Sequence, residues 1–283
     1  MNKKSVLYAE SWNVAFRKAC PGSIIEERGK EFNIIKNPVR YWVADPFLFE
    51  HDGDTYIFAE MYDYIRRRGG IGYCKISGTN NPKWKPIIFE KYHLSYPYIF
   101  EKDGEVFIMP ESGASESLYL YKAVSFPEKW EKFTVLREGL KLADTTLIEP
   151  FDDNKALTYN VKDPNNPILM LLDISNPKRD IELRLDSVEM RRPAGRVLPN
   201  GIRPAQNCAE DYGKGLVFYK YFSNEDYYEE EICRIFPEDL SYAQKVFLDG
   251  MHTYNYTSQY EVIDIKTRRF NLLNLLFRTI GKL

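Results

Sequence analysis

WVADPFLFEHDGDTYIFAE, Trp42 to Glu60, decides how the rest of the chain is read. Asp45-Pro46 stands at the head of an apolar run, Phe47-Leu48-Phe49. A turn follows at His51-Asp52-Gly53-Asp54, and a second run, Tyr56-Ile57-Phe58-Ala59, closes on Glu60. Asp-Gly between two aromatic, β-prone runs predicts a hairpin, because the turn needs positive φ and Gly adopts it at little cost. An acidic side chain is thereby presented where a buried strand begins.

The stretch recurs. Ser95 to Ser112, SYPYIFEKDGEVFIMPES, puts Tyr96-Pro97 in the place of Asp45-Pro46 and ends its second run at Glu111. Ala143 to Asn160, ADTTLIEPFDDNKALTYN, puts Asp144 there. A degenerate copy, PAGRVLPNGIRPAQN, runs from Pro193 to Asn207 with Gly195 in place and Asn200-Gly201 as its turn. A weaker fifth spans Gly250 to Ile265, with His252 near the key position. A spacing of about 50 residues reads as propeller blades of about four strands each. The fold expected is all-β, a single five-bladed β-propeller over 1–267. Its blades are placed at about 42–84, 87–130, 134–174, 182–221 and 230–265. Ser5 to Ala9 is β-prone, and Trp12 to Arg17 continues it or makes one helical turn; this entry segment is expected to close the ring on the last blade.

Composition agrees. Of 283 residues, 15% are aromatic, which suits strands, and a single all-β domain of this length is ordinary. Lys plus Arg number 39 against 41 Asp plus Glu, so the charge of −2 argues against a nucleic-acid binder. The four Cys (Cys20, Cys74, Cys208, Cys233) and three His (His51, His93, His252) show no metal-ligand spacing. Buried thiols in a reducing compartment, and a cytoplasmic protein, are expected. No window reaches the apolar length of a membrane span. The last stretch, Arg268 to Leu283, has no β alternation; it gathers its Leu, Phe and Ile on a wide helical arc and carries four basic residues and no acid. It predicts an amphipathic helix, docked either on an anionic membrane surface or on the propeller itself.

In a propeller the innermost strands converge, so repeat-equivalent side chains gather at the axis. Asp45 and Asp144 are equivalent in this way, and paired carboxylates across a cleft suit sugar chemistry. Glu60 and Glu111 end second strands and are further candidates, with His93 and Tyr96 at the entry to the second blade. The fourth blade brings Arg192, Arg196 and Arg203, suited to phosphate or carboxylate or else to ion pairs between blades, and Gln206 and Asn207, suited to sugar hydroxyls. His252 puts one imidazole near the axis. No metal is assigned, though an axial ion stays open.

The runs WVADPFLFEHDG, HLSYPYIFEKDGEVFIMPES, ADTTLIE, RPAGR, RPAQNC and HTYN resemble, in order, the N-terminal domain of glucosamine inositolphosphorylceramide transferases. Free-standing bacterial relatives of that domain occur in polysaccharide loci. The domain is in turn similar to the five-bladed propellers of glycoside hydrolase family 43. The resemblance implies Asp45 as general base and Asp144 as the Asp that tunes it, while the Glu acid of blade four is replaced by Gly195-Arg196. That departure favours a nucleotide diphosphate leaving group. The function expected is a glycosyltransferase, moving a sugar from a nucleotide donor to a lipid-linked or polysaccharide acceptor, with Arg192 and Arg196 on phosphate. A hydrolase with Glu111 as its acid, and a non-catalytic glycan-binding propeller, are the alternatives.

Overall fold

The computed structural model describes residues 8–148, 152–183, 185, 188–209, 211–223 and 227–270. The chain opens with β1 (Tyr8–Lys18), a single helical turn α1 (Ser23–Glu26) and β2 (Asn33–Ile34). Blade one is β3 (Tyr41–His51), β4 (Asp54–Asp63), β5 (Arg68–Lys75) and β6 (Lys85–Ile88). Blade two is β7 (Ser95–Lys102), β8 (Glu105–Glu111), β9 (Ser117–Ser125) and β10 (Lys129–Glu138). Blade three is β11 (Leu142–Ile148), β12 (Asp152–Asn160), β13 (Ile168–Asp173) and β14 (Ile181–Glu182). Blade four is β15 (Ile202–Asn207), β16 (Gly215–Ser223) and β17 (Tyr227–Ile235). Blade five is β18 (Tyr254–Tyr256) and β19 (Tyr260–Phe270), completed by β1 and β2 from the other end of the chain.

The ring closes through β1, which runs antiparallel to β19 from Tyr8 opposite Phe270 to Lys18 opposite Tyr260. Within this pair Arg17 faces Glu261, and both are buried. The Arg17 Nε donates to Glu261 Oε2 at 2.8 Å, its Nη1 and Nη2 reach the carbonyls of Lys30 and Glu27, and the guanidinium lies 4.5 Å from the Phe32 ring centroid. A charge so enclosed persists only with its partner in place.

Burial falls from axis to rim. Every residue of β11, an innermost strand, is buried, whereas most of β10, an outermost strand, is exposed. This gradient explains where the expected blade limits miss. The exposed outer strands carry little hydrophobic signal, so residues 134–138 belong to blade two, Glu182 to blade three and Tyr227–Ile235 to blade four. Arg268–Phe270, expected to begin a helix, end β19; residues 271–283 of that expected helix lie outside the described residues. Among the described residues no helix is long and apolar enough to cross a membrane.

The repeated hairpins have the turn chemistry their sequence demands. Asp52 and Gly53 both have positive φ (50° and 78°), as do Asp103 and Gly104 (54° and 75°). Two consecutive left-handed residues are what a tight hairpin turn matched to strand twist requires.

The innermost strands of blades one to three are also bulged at the repeat position. Asp45, Tyr96 and Asp144 take φ of 51°, 45° and 51°, and the strand register slips at each. The bulge takes one residue out of the ladder and turns its amide and side chain toward the axis. In blade four the segment before β15 stands in for the innermost strand, with a single bridge between Pro193 and Ala205. Gly195 is obligatory there: its φ is 133°, and a Cβ would lie 1.9 Å from the Tyr254 carbonyl oxygen.

Replacing Arg17 by Met is expected to cost about 3–5 kcal/mol, because Glu261 is left as an uncompensated buried charge. Urea unfolding reads this directly, and an Arg17→Met/Glu261→Leu double variant should recover most of it. A loss under about 1 kcal/mol in the single variant, the range of an exposed pair, would show that this pair does not hold the closure.

Candidate active site

The bulges expose backbone amides inside the ring, and acidic groups take them. The Asp45 amide donates to Asp264 Oδ2 at 3.0 Å, the Tyr96 amide to Asp45 Oδ2 at 3.1 Å, and the Asp144 amide to Glu111 Oε2 at 3.3 Å. The Gly195 amide donates to the Tyr96 hydroxyl at 2.6 Å, and that hydroxyl also pairs with Thr146 Oγ1 at 2.7 Å. Repeat-equivalent positions are thus linked blade to blade around the axis.

Asp45 is buried and in addition accepts from Thr253 Oγ1 at 3.0 Å, with His252 Nε2 at 3.5 Å. Burial pushes its pKa up and His252 pulls it back, while Glu60, Asp144 and Asp264 add repulsion; the result is about 7. His252 itself is penalised by burial, but Asp264 and Asp45 lift it to about 9. Its Nδ1 lies 2.6 Å from Asp264 Oδ2.

Asp144 is held by two donors, Arg192 Nε and, at 2.7 Å, Gln206 Nε2. Arg192 Nη2 reaches Glu111 Oε2 at 3.4 Å, so one guanidinium bridges both carboxylates. Glu111, half-buried, is raised to about 8 by burial and by Asp144, with Arg192 opposing. On the blade-one side Glu60 is buried beside His93, whose Nε2 is 3.2 Å from Glu60 Oε1. Burial lowers the His93 pKa, and Glu60, Glu111 and Asp45 together raise it to about 9. The Gly69 amide, which donates to His93 Nδ1 at 3.0 Å, works against that charge, since only an unprotonated Nδ1 accepts it.

Of the residues singled out in the sequence, Asp45, Tyr96, Glu111, Asp144, Arg192, Gln206 and His252 come together in one bonded cluster. Glu60 and His93 adjoin it, within electrostatic reach of Asp45. Three others do not join it. Arg196 lies across the Tyr98 ring, 4.7 Å from its centroid, and lines a cavity of about 320 Å³ with Glu50 and Glu101 near the hairpin turns. Arg203 is buried in a two-pronged pair with Glu229, which also takes Arg191. On β15 Arg203 and Gln206 fall on opposite faces, so Gln206 joins Asp144 while Arg203 ties blade four together. Asn207 accepts the Ala209 amide at 3.3 Å and shapes the turn after β15.

Asp264 is the residue the sequence reading missed. It is fully buried, and it accepts the amides of Asp45, His252 and Thr253. Its signal was available: one acid inside the apolar run Val262-Ile263-Asp264-Ile265. Asp45, His252 and Asp264 each offer one ligand atom within 4.8 Å of the others, so they are the group best placed to hold a cation. The carboxylate oxygens of Asp45 and Asp264 already accept from amides and the Thr253 hydroxyl, whereas the buried His252 Nδ1, 2.6 Å from Asp264 Oδ2, makes no hydrogen bond.

Residues 33–162 match the family model described as "Glucosamine inositolphosphorylceramide transferase 1, N-terminal". The chain resembles that family, as its motifs imply. It is 29% identical over 247 residues to Glucosamine inositolphosphorylceramide transferase 1 of Arabidopsis thaliana, covering 80% of this chain and 30% of the relative. It is 28% identical over 210 residues to the protein of that name from Oryza sativa subsp. indica, covering 66% of this chain and 27% of the relative. The chain therefore spans less than a third of these relatives. Among solved structures, the catalytic domain of Coprinopsis cinerea GH62 alpha-L-arabinofuranosidase superposes with a TM-score of 0.58 at 10% identity, covering 90% of this chain and 97% of that one. At that identity the likeness concerns the fold, a five-bladed propeller, which sequence and structure give independently.

Raised carboxyl pKa values carry a sign. Asp45 and Glu111 are easier to keep neutral than charged in the folded state, so ionising them on folding costs stability. Stability from this source is fully present below their ordinary range and is lost as pH rises through about 7 and 8. Thermal melts of the wild type and Glu111→Gln should coincide below about pH 4 and diverge above it, the variant melting higher by pH 8. Parallel curves from pH 5 to 9 would contradict the raised Glu111.

Proposed function

We propose that this propeller is an enzyme that breaks or transfers a glycosidic bond by acid–base catalysis, with Asp45 as the base and Glu111 as the acid. The observation that carries it is the presence in one bonded cluster of two carboxyls, Asp45 beside Tyr96 and Thr253 and Glu111 beside Asp144 and Arg192, with their pKa values lifted toward neutrality. Groups whose pKa lies near the working pH are the ones that can both take and give a proton. Asp45, backed by Thr253 and His252, removes the proton of the attacking hydroxyl or water. Glu111, partly open to solvent, protonates the departing oxygen. Asp144, fixed by Arg192 and Gln206, stands beside Glu111 and raises its pKa by repulsion.

The nucleotide-sugar reading keeps one supporting observation, the guanidinium of Arg192 in the cluster. Arg196 and Arg203, the other phosphate contacts expected, are engaged elsewhere. The site therefore favours a glycoside over a nucleotide diphosphate as the bond to be broken, and a glycan or lipid-linked glycan as the substrate. The cysteines Cys20, Cys74, Cys208 and Cys233 are free, which fits a cytoplasmic enzyme. The amphipathic pattern of residues 271–283 supports a peripheral place on an anionic membrane face.

The test is a panel of aryl glycosides beside a panel of nucleotide sugars, read by product release. Activity on a glycoside should follow a narrow bell between the two carboxyl values. Asp45→Asn should lose at least about a hundredfold at every pH, the usual worth of a general base. Glu111→Gln should lose the alkaline limb and be rescued by leaving groups that need no proton. Nucleotide-sugar turnover indifferent to Glu111→Gln would replace this reading with the transferase one.

A further inference from the structure

We propose that the mouth over the carboxylates is a glycan cleft with two aromatic walls, Trp42–Tyr62 on the blade-one side and Tyr212 on the blade-four side, so that its substrate carries a sugar ring on each side of the reacting bond. The inference rests on the acid–base reading for its chemistry and adds the shape of what is bound.

Trp42 and Tyr62 are directly opposed on β3 and β4, with ring centroids 4.8 Å apart and planes 3° from parallel. Core aromatics of the same two strands, Phe47 and Phe58, are fully buried; Trp42 and Tyr62 are not. Large aromatics kept at a surface mark a binding face. The wall leads to the acids: Tyr62 lies two residues from Glu60 and so shares its face of β4, and His93, bonded to Glu60, is 6.4 Å from the Tyr62 ring.

Tyr212 is 45% exposed, in the turn between β15 and β16. Its ring stands edge-on to His252 at 5.3 Å and to Trp12 at 6.4 Å, and the Arg192 guanidinium is 5.6 Å from its centroid. The phenol feels the charges of Asp45, Asp144 and Glu111, which places it over the cluster. The turn is built to hold it. Gly213 has φ of 65°, and a Cβ there would meet the Trp12 ring at 2.8 Å; the Gly213 carbonyl takes the Met251 amide, and Lys266, itself buried, reaches the Tyr212 carbonyl at 3.3 Å. A ring fixed this way needs little ordering when a ligand arrives.

A sugar ring has an apolar C–H face and a rim of hydroxyls. Aromatic walls take the face, and carboxylates between them take the rim. A nucleotide also has a stacking face, but its diphosphate would enter a cleft where Asp45, Glu60, Glu111 and Asp144 face Arg192. The charge therefore selects an uncharged or basic glycan over a nucleotide.

Binding is measured on Asp45→Asn protein, which holds substrate without turning it over, by titration with xylo-, arabino- and glucosamine oligosaccharides of one to four rings. One series should bind at least about tenfold tighter as disaccharide than as monosaccharide. Tyr212→Ala should weaken the disaccharide about tenfold and Tyr212→Phe by less than about twofold, since the ring face rather than the hydroxyl is used. Trp42→Ala should act as Tyr212→Ala does. Tyr212 is surface-placed, so its variants should melt with the parent, which separates lost binding from lost folding. Equal binding of one and two rings, no loss in Tyr212→Ala, no binding by any series, or displacement by a nucleoside diphosphate would each overturn the two-walled cleft. Wall variants that bind normally in an otherwise wild-type enzyme still dependent on Asp45 and Glu111 would overturn it while leaving the acid–base reading intact.

Discussion

The carboxylate of Asp264 accepts three backbone amides, from Asp45, His252 and Thr253, and sits against the His252 imidazole. Two of these amides belong to blade five and one to blade one. The same group thus ties the two blades between which the ring closes and fixes the bulge that aims Asp45 at the axis. A charged acceptor serving three donors is strong when all are present and costly when any is lost. The position of Asp45 and the raised pKa of His252 both depend on it.

The chain of amide bonds that begins there explains how one fold concentrates acids without collapsing their charge. A left-handed residue in each of three innermost strands gives up ladder pairing, and the amide so freed becomes a donor inside the ring. Such backbone conformations cost of order 1–3 kcal/mol each and persist only where the surroundings hold them. Here the compensation is electrostatic: every freed amide meets an oxygen. Blade four breaks the pattern because no side chain fits at Gly195 beside Tyr254. Its contribution comes from three residues earlier, where Arg192 brings positive charge between Asp144 and Glu111. The position that likeness to family 43 propellers would give to an acid is closed by backbone, and the acid proposed here, Glu111, comes from a different blade.

Much of this was legible in the residues. Asp-Gly turns and alternation over the first two strands of each repeat reflect burial and turn geometry, both local, so the propeller and its period could be read. The outer strands could not, because β10 and β14 are exposed and lack an apolar code. Repeat equivalence correctly joined Asp45 with Asp144, since the same bulge recurs. It misled for Arg196 and Arg203, because an arginine near the axis in sequence can point along the strand to the far mouth, or fall on the alternate face and pair with Glu229. Asp264 was hidden by belonging to the second strand of its blade, outside the repeat position. The setting of Tyr212 depends on Trp12 arriving from the other end of the chain, a contact no local pattern encodes.

The central claim is that two carboxyls at the axis hold protons near neutral pH. The direct measurement is a pH titration of side-chain carboxyl groups by carbon-13 magnetic resonance, with Asp45→Asn and Glu111→Gln assigning the two signals. One signal should titrate at about 7 and disappear in the first variant, and the other should titrate at about 8 and disappear in the second. Two signals titrating in the ordinary range of about 4 would contradict it and leave the propeller without an acid–base pair.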